Sequence, residues 1–270
     1  MKLPKWFGSG IWLFVGIVIG VVFIRFSGGF LIGQPAVPKP KVSDGPEINH
    51  RQPVSPDLTK LFPKLIVRQG NPKVKTIALT FDDGPDFNYT PKILDVLKKY
   101  NVKATFFVVG TQIQKYPATF RRMIQEGHEI GSHGFQHLKI TELTDAQIRD
   151  VLNNNNNLIM KQTGTRTVTY RPPYGALDPH SIESIGNYGY KIVLWTIDSL
   201  DWRGLKKEEV IANVLPKLKE GYIILQHCAA DSPKENLSGT IDALPEIIKT
   251  AKNRGFQFVT VNQLLKTANQ

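Results

Sequence analysis

From Thr76 onward the chain alternates short apolar runs with segments of helical spacing, and this alternation restricts the fold more than any other feature. "TIALTFD" (76–82) reads as a buried strand, while "TPKILDVLKKY" (90–100) puts Ile93, Leu94 and Leu97 on one helical face. Further strands are expected at 104–110, at "HEIGSH" (128–133), at "TVTYR" (167–171), at "KIVLWTID" (191–198), at "GYIILQH" (221–227) and at "FQFVTV" (256–261). Helices are expected over 112–126, 144–162, 178–188, 206–219 and 240–254. The run Asn153–Asn157 reads as a weak helical segment or a solvated face and carries no expected function. Strands that alternate with helices pair in parallel through crossover connections. The number of units favours a distorted (β/α) barrel with about seven parallel strands over an open sheet.

The 270 residues are long for one small domain. Residues Trp6 to Ile24 hold no charge over 19 positions, about enough helix for a hydrocarbon core of roughly 30 Å. Lys2 and Lys5 precede this run; Arg25 follows it, and no further base comes before Lys39. That bias puts the N-terminus in the cytoplasm and the bulk of the chain outside. An uncleaved anchor over residues 1–32 is therefore expected, in a single-pass protein of the cell membrane. A signal peptide cleaved near Ser27-Gly28-Gly29 is the rival reading. Residues 33–57 carry six prolines among polar residues and read as a semi-stiff extracytoplasmic linker. A catalytic domain is expected over 58–270.

The net charge of +11 is spread out: seven bases stand against three acids in the first 60 residues, and 27 against 20 beyond. Such a surface suits an acidic polymer or an anionic envelope. No basic run interleaved with aromatics points to nucleic acid. Cys228 is the single cysteine, so no internal disulfide can form. Strand alternation turns it away from its neighbour His227, which makes it a packing residue rather than half of a Cys–His pair.

Polar groups collect where the expected strands end. Asp82 and Asp83 end one strand, His133 another and Arg171 a third; Asp198 and Asp201 follow a fourth, and His227 ends a fifth. In both barrels and open α/β sheets, chemistry sits at the carboxyl ends of the strands. Two adjacent carboxylates repel one another unless something compensates. "HGFQH" offers His133 and His137 at i and i+4, a spacing that on a helical turn lets two imidazoles reach one metal. Two His and one carboxylate make an open catalytic metal set, so one aspartate can ligate a cation while the other stays free as a base. In "RPPYG", Pro172 and Pro173 stiffen the backbone that carries Arg171 and Tyr174. "DSLDW" offers a carboxylate for His227 and, in Trp202, an indole for a substrate wall.

Taken in order, "TFDDGP", H-x-x-x-H, "RPPYG", "DSLDW" and "LQH" resemble the five motifs of the polysaccharide deacetylases, carbohydrate esterase family four, over about Leu65 to Gln270. The resemblance implies hydrolysis of N-acetyl groups on amino sugars with release of acetate. It implies Asp82 as base, with Asp83, His133 and His137 on a divalent metal, usually zinc, with cobalt or nickel as substitutes. Arg171 would orient Asp82, the Tyr174 backbone N–H would help hold the oxyanion, and His227 would be the acid. A carboxylate of "DSLDW" would tune His227, with Asp201 preferred and Asp198 the alternative. Trp202 and Leu225 would wall the substrate. An anchored enzyme beside a bacterial wall points to peptidoglycan and its N-acetylglucosamine units. Chitooligosaccharide, N-acetylmuramic acid, or a weakly active sugar-binding homologue are the alternatives. One position departs from the family pattern, which has Ser or Thr after the first metal histidine where this chain has Gly134.

Overall fold

The computed structural model describes residues 56–230 and 236–268. The anchor expected over 1–32, and all but the last two residues of the linker, lie outside them. Among the described residues no helix is long and apolar enough to cross a membrane.

Among the described residues there are nine strands: β1 (Ile66–Val67), β2 (Thr76–Asp82), β3 (Thr105–Val108), β4 (Glu129–Ser132), β5 (Thr169–Tyr170), β6 (Lys191–Val193), β7 (Ile197–Asp198), β8 (Ile223–His227) and β9 (Gln257–Phe258). The helices are α1 (Pro56–Leu61), α2 (Tyr89–Lys99), α3 (Gly110–Lys115), α4 (Pro117–Gln125), α5 (Asp145–Thr163), α6 (Pro179–Asn187), α7 (Lys207–Val214), α8 (Ser238–Asn253) and α9 (Val261–Ala268). All named strand pairs are parallel, in the order β1-β6-β5-β4-β3-β2-β8-β7, with β9 against the start of β2. The path begins at β1 and ends at β7, and the sheet curls into a half-barrel, consistent with the expected distorted barrel.

Strand periodicity sorts the side chains of β2 into two cores. Ile77, Leu79 and Phe81 face α2 and α8, where Ile93, Leu94, Leu97, Leu244 and Ile247 are fully buried. Burying such a side chain contributes about 1.5–3 kcal/mol. Ala78 faces the concave side with Phe107, Val193 and Ile223, and α9 fills that side with Val261 and Leu264. Thr80 and Asp82 share the parity of Ala78. The same alternation in β8 sends Ile223, Leu225 and His227 inward.

Several expected elements differ for local reasons. The helix expected over 112–126 is two, because Pro117 opens α4 at its first position and has no N–H to continue α3. "KIVLWTID" breaks into β6 and β7. The carbonyls of Val193 and Leu194 accept from the Arg171 guanidinium at 3.0 and 3.3 Å instead of a neighbouring strand. "FQFVTV" shrinks to β9 and turns into α9, and α1 and β1 carry too little apolar pattern to be read ahead of time. The asparagine run is helical, and only part of it is a solvated face, with Asn153, Asn154 and Asn157 exposed. Asn155 and Asn156 lie on the buried side of α5, where their amides satisfy backbone groups.

Candidate active site

The turn after β2 sets the two aspartates. Asp82 ends the strand in register with His227 on β8. Asp83 takes φ 74°, a left-handed conformation that reverses its side chain relative to a continued strand. The turn is held from below. Asp86 Oδ1 accepts the backbone N–H of Asn88, Tyr89 and Thr90, capping α2. Thr90 Oγ1 accepts from Asp86 N at 3.0 Å and donates to the Cys228 carbonyl at 2.8 Å, tying the turn to the end of β8.

Asp83 lies between two imidazoles, its Oδ1 being 3.2 Å from His133 Nε2 and 3.1 Å from His137 Nε2. One ligand atom from each of these three residues lies within 4.8 Å of the others. Burial opposes the charge on Asp83, but His137 and His133, with His227 beyond, outweigh it and hold the carboxyl well below the ordinary range. His133 Nδ1 donates to the Arg171 carbonyl at 2.7 Å, which leaves Nε2 unprotonated and turned toward Asp83 in the neutral ring. A backbone carbonyl that fixes the tautomer of an imidazole is the usual support of a metal-ligating histidine. The donor set of one carboxylate and two imidazoles therefore fits a divalent cation, and it leaves coordination positions for water and substrate.

His133 and His137 are not on a helical turn, as the spacing suggested. They sit on a loop after β4 in which Gly134 has φ 83° and His137 φ 56°. A Cβ on Gly134 would also come within 3.2 Å of Val151 Cγ1, a tight contact that adds to the strain of the left-handed backbone.

Arg171 follows β5 and is fully buried. Its Nη1 donates to Asp82 Oδ1 and to Thr80 Oγ1, each at 2.8 Å. Its guanidinium stacks 4.1 Å from the centroid of Phe107. Burial pulls its pKa down, opposed by the charge of Asp82 and, farther off, Asp198. Each nitrogen of this buried cation thus has a partner, which fixes the carboxylate that it touches.

On the other flank, His227 Nδ1 donates to Asp201 Oδ1 at 2.7 Å. Asp201 Oδ2 accepts from His227 N at 2.9 Å and from Thr240 Oγ1 at 2.7 Å. Burial works against the charge of Asp201, yet His227 and these donors bring its pKa below the ordinary value. Asp201 is thus the partner of His227. Asp198 instead accepts from Leu200 N, within its own turn. Cys228 is buried, with Sγ donating to the Asp82 carbonyl at 3.3 Å. Burial, reinforced by the nearby aspartates, pushes its thiol well up, as suits a packing residue.

The cleft is lined by Asp82, Asp83, His133, His137, Tyr174 and His227, with Leu225 and Trp195 on its apolar wall. Tyr174 has φ 61° and lays its ring against His137 at 4.8 Å. Trp202 does not line the cleft; its backbone N–H serves Asp201 Oδ1 at 2.9 Å. Trp195, within the expected strand 191–198, takes the wall position because the chain leaves the ladder there. Thr80, Thr240 and Thr90 carry no recognisable signal in sequence, since each acts through a partner far along the chain.

Hydrolysis assisted by a divalent cation is the class that such a rim defines. Residues 69–193 match the family described as polysaccharide deacetylase. The chain is 37% identical over 194 residues to a peptidoglycan-N-acetylglucosamine deacetylase of Bacillus cereus, covering 72% of this chain and 70% of that one. It is 35% identical over 241 residues to the peptidoglycan-N-acetylmuramic acid deacetylase PdaA of Bacillus subtilis, covering 85% and 88%. A crystal structure of a peptidoglycan N-acetylglucosamine deacetylase, bound to a naphthalenyl N-hydroxybenzamide, superposes with a TM-score of 0.73 at 34% identity, covering 78% of this chain and 98% of that one. The chain belongs to the polysaccharide deacetylase family, as its five motifs led one to expect.

Proposed function

We propose that this chain removes acetyl groups from N-acetylglucosamine units of peptidoglycan and releases acetate, working outside the membrane to which Trp6–Ile24 anchors it. The observation that carries the chemistry is the placement of Asp82 and His227 in register on β2 and β8, beside Asp83, His133 and His137. Bound to those three residues, a zinc ion would supply Lewis acidity toward the acetamide carbonyl and would acidify water. Asp82, held by Arg171, takes a proton from the attacking water. His227 gives a proton to the departing amine, which is a poor leaving group until protonated. Asp201 fixes the His227 ring with Nε2 toward the cleft and stabilises the positive charge that the ring carries as an acid. The Tyr174 backbone N–H, on the left-handed turn of "RPPYG", serves the oxyanion. Leu225 and Trp195 shape the wall against the methyl group and sugar.

Acetate release by the full chain on peptidoglycan, compared with chitin oligomers and with muramic-acid-rich fragments, tests the substrate. Release from peptidoglycan at glucosamine positions is expected. Sugar binding with no acetate from any polymer would reduce the chain to a binding homologue. The anchor is supported by Lys2, Lys5 and the uncharged 19-residue run. In wall-less cells, external protease is expected to remove a tag placed at Gln270. Protection of that tag would reverse the orientation, and a mature N-terminus near Gly29 would replace the anchor by a signal peptide.

A further inference from the structure

The two buried asparagines of α5 go to opposite ends of the sheet. Asn156 Oδ1 accepts from Thr167 N at 3.1 Å, ahead of β5 and away from the cleft. Asn155, fully buried, donates through Nδ2 to the Val108 carbonyl and to Ser132 Oγ, both at 2.9 Å. These are the last residues of β3 and β4. The Val108 carbonyl also accepts from His133 N at 2.9 Å, and Ser132 Oγ also accepts from Gly134 N at 3.3 Å. Asn155 therefore grips, from behind, the two acceptors that fix the backbone at His133 and at the residue after it.

The far side of the loop is fastened to α3. Gly110 N donates to the Gly134 carbonyl at 3.0 Å and Thr111 N to the Phe135 carbonyl at 2.9 Å. A Cβ on Gly110 would stand 2.4 Å from the Phe135 ring and 3.1 Å from Asn155 Oδ1, so helix, loop and asparagine meet without spare room. Gly134 has no side chain to brace the loop, and its φ of 83° strains any residue placed there. The loop still has to hold two ligands in left-handed and irregular backbone, a conformation that persists only when its surroundings impose it.

We propose that Asn155, acting through Ser132 and the Val108 carbonyl, is a positioning residue that presets His133 and the loop to His137 for the metal. The proposal rests on the reading of Asp83, His133 and His137 as the metal site. The test measures zinc affinity of the full chain against a competing chelator, the visible absorption of the cobalt-loaded protein, and the thermal midpoint. Asn155→Ala, and to a lesser degree Ser132→Ala, are expected to weaken zinc binding by about 10–100-fold and to alter the cobalt spectrum. Asn156→Ala is the control, a second buried amide one residue on. It should lower the thermal midpoint comparably and leave zinc affinity within about twofold, since its hydrogen bond goes to Thr167 N and not to the loop. If Asn155→Ala does not fold, Ser132→Ala decides the matter alone, with the same readouts. Unchanged affinity and spectrum in the folded variants, or an equal loss in Asn156→Ala, would overturn the brace. Wild-type protein that binds no zinc would overturn the metal site and the brace with it.

Discussion

One short strand, β4, is flanked by two histidines whose fates are opposite. His128 and His133 stand at the two ends of "HEIGSH", and both are almost fully buried. Strand alternation puts positions five apart on opposite faces. His133 shares the concave face with Glu129 and Gly131. His128 shares the outer face with Ile130, which packs among the helices, and its ring meets Phe106 edge-on at 5.2 Å. His128 Nδ1 accepts from Ala104 N, so the neutral ring carries its proton on Nε2, the reverse of His133. The nearest carboxylate to that Nε2 is Glu126 at 4.0 Å, too far for a hydrogen bond. Burial, helped by Lys103, pushes His128 down to about 4. Glu129 tells the same story in the other sign, its pKa raised by burial. At the carboxyl ends of the strands every buried charge meets an opposite charge or a full set of donors. At the amino end burial outweighs the neighbouring groups, pushing His128 down and Glu129 up, each toward its neutral form. Burial of a titratable group does not by itself make an active site; the pairing does.

The largest break of this contrast is His133→Ala. It should strip the metal and abolish acetate release, which elemental analysis and an acetate assay would show together. Unchanged metal content would remove His133 from the ligand set. Next come Asp82→Asn and His227→Ala, each of which should keep the metal and lose about 10²–10⁴ in turnover, as expected when a general base or acid is removed. Metal loss in Asp82→Asn would mean that the two aspartates have exchanged roles.

The smallest effect is expected from His128→Gln, which should leave metal content and turnover alone and change only how stability depends on pH. The folded value of about 4 lies below the ordinary 6.5, so the unfolded chain binds a proton in that window that the folded chain refuses. The contribution of neutral His128 is thus present in full above pH 6.5, falls as the pH drops toward 4 and levels off below. Urea midpoints at pH 7.5 and 4.5 should therefore lie closer together in His128→Gln than in the wild type. An equal separation would mean that His128 takes up its proton in the folded state.

The strand ends, and which residues stand on them, were legible in the sequence because apolar runs of period two stop at Asp82, His133 and His227. That legibility extends to the opposite faces of His128 and His133, which follow from alternation. It fails where backbone conformation departs from regular elements. The H-x-x-x-H pair looks helical by spacing, yet the left-handed Gly134 and His137 make it a loop. Trp202 reads as a wall in sequence, yet Trp195 lines the cleft, where the chain leaves the ladder and the Val193 and Leu194 carbonyls turn to Arg171.

The sequence by itself determined the chemistry available: five ordered motifs, one carboxylate and two imidazoles for a cation, one base, one acid. It also determined that parallel strands would bring these groups to a common rim. Tertiary structure alone decided the pairings. Asp82 meets Arg171, which lies 89 positions away, and Asp201 rather than Asp198 meets His227, 26 positions away. Asn155, in a run with no evident purpose, reaches Ser132. Hydrogen bonds form over about 3 Å, and no local pattern specifies which distant groups will come that close. The register of β2 on β8 and the packing of α5 behind β3 and β4 set those distances.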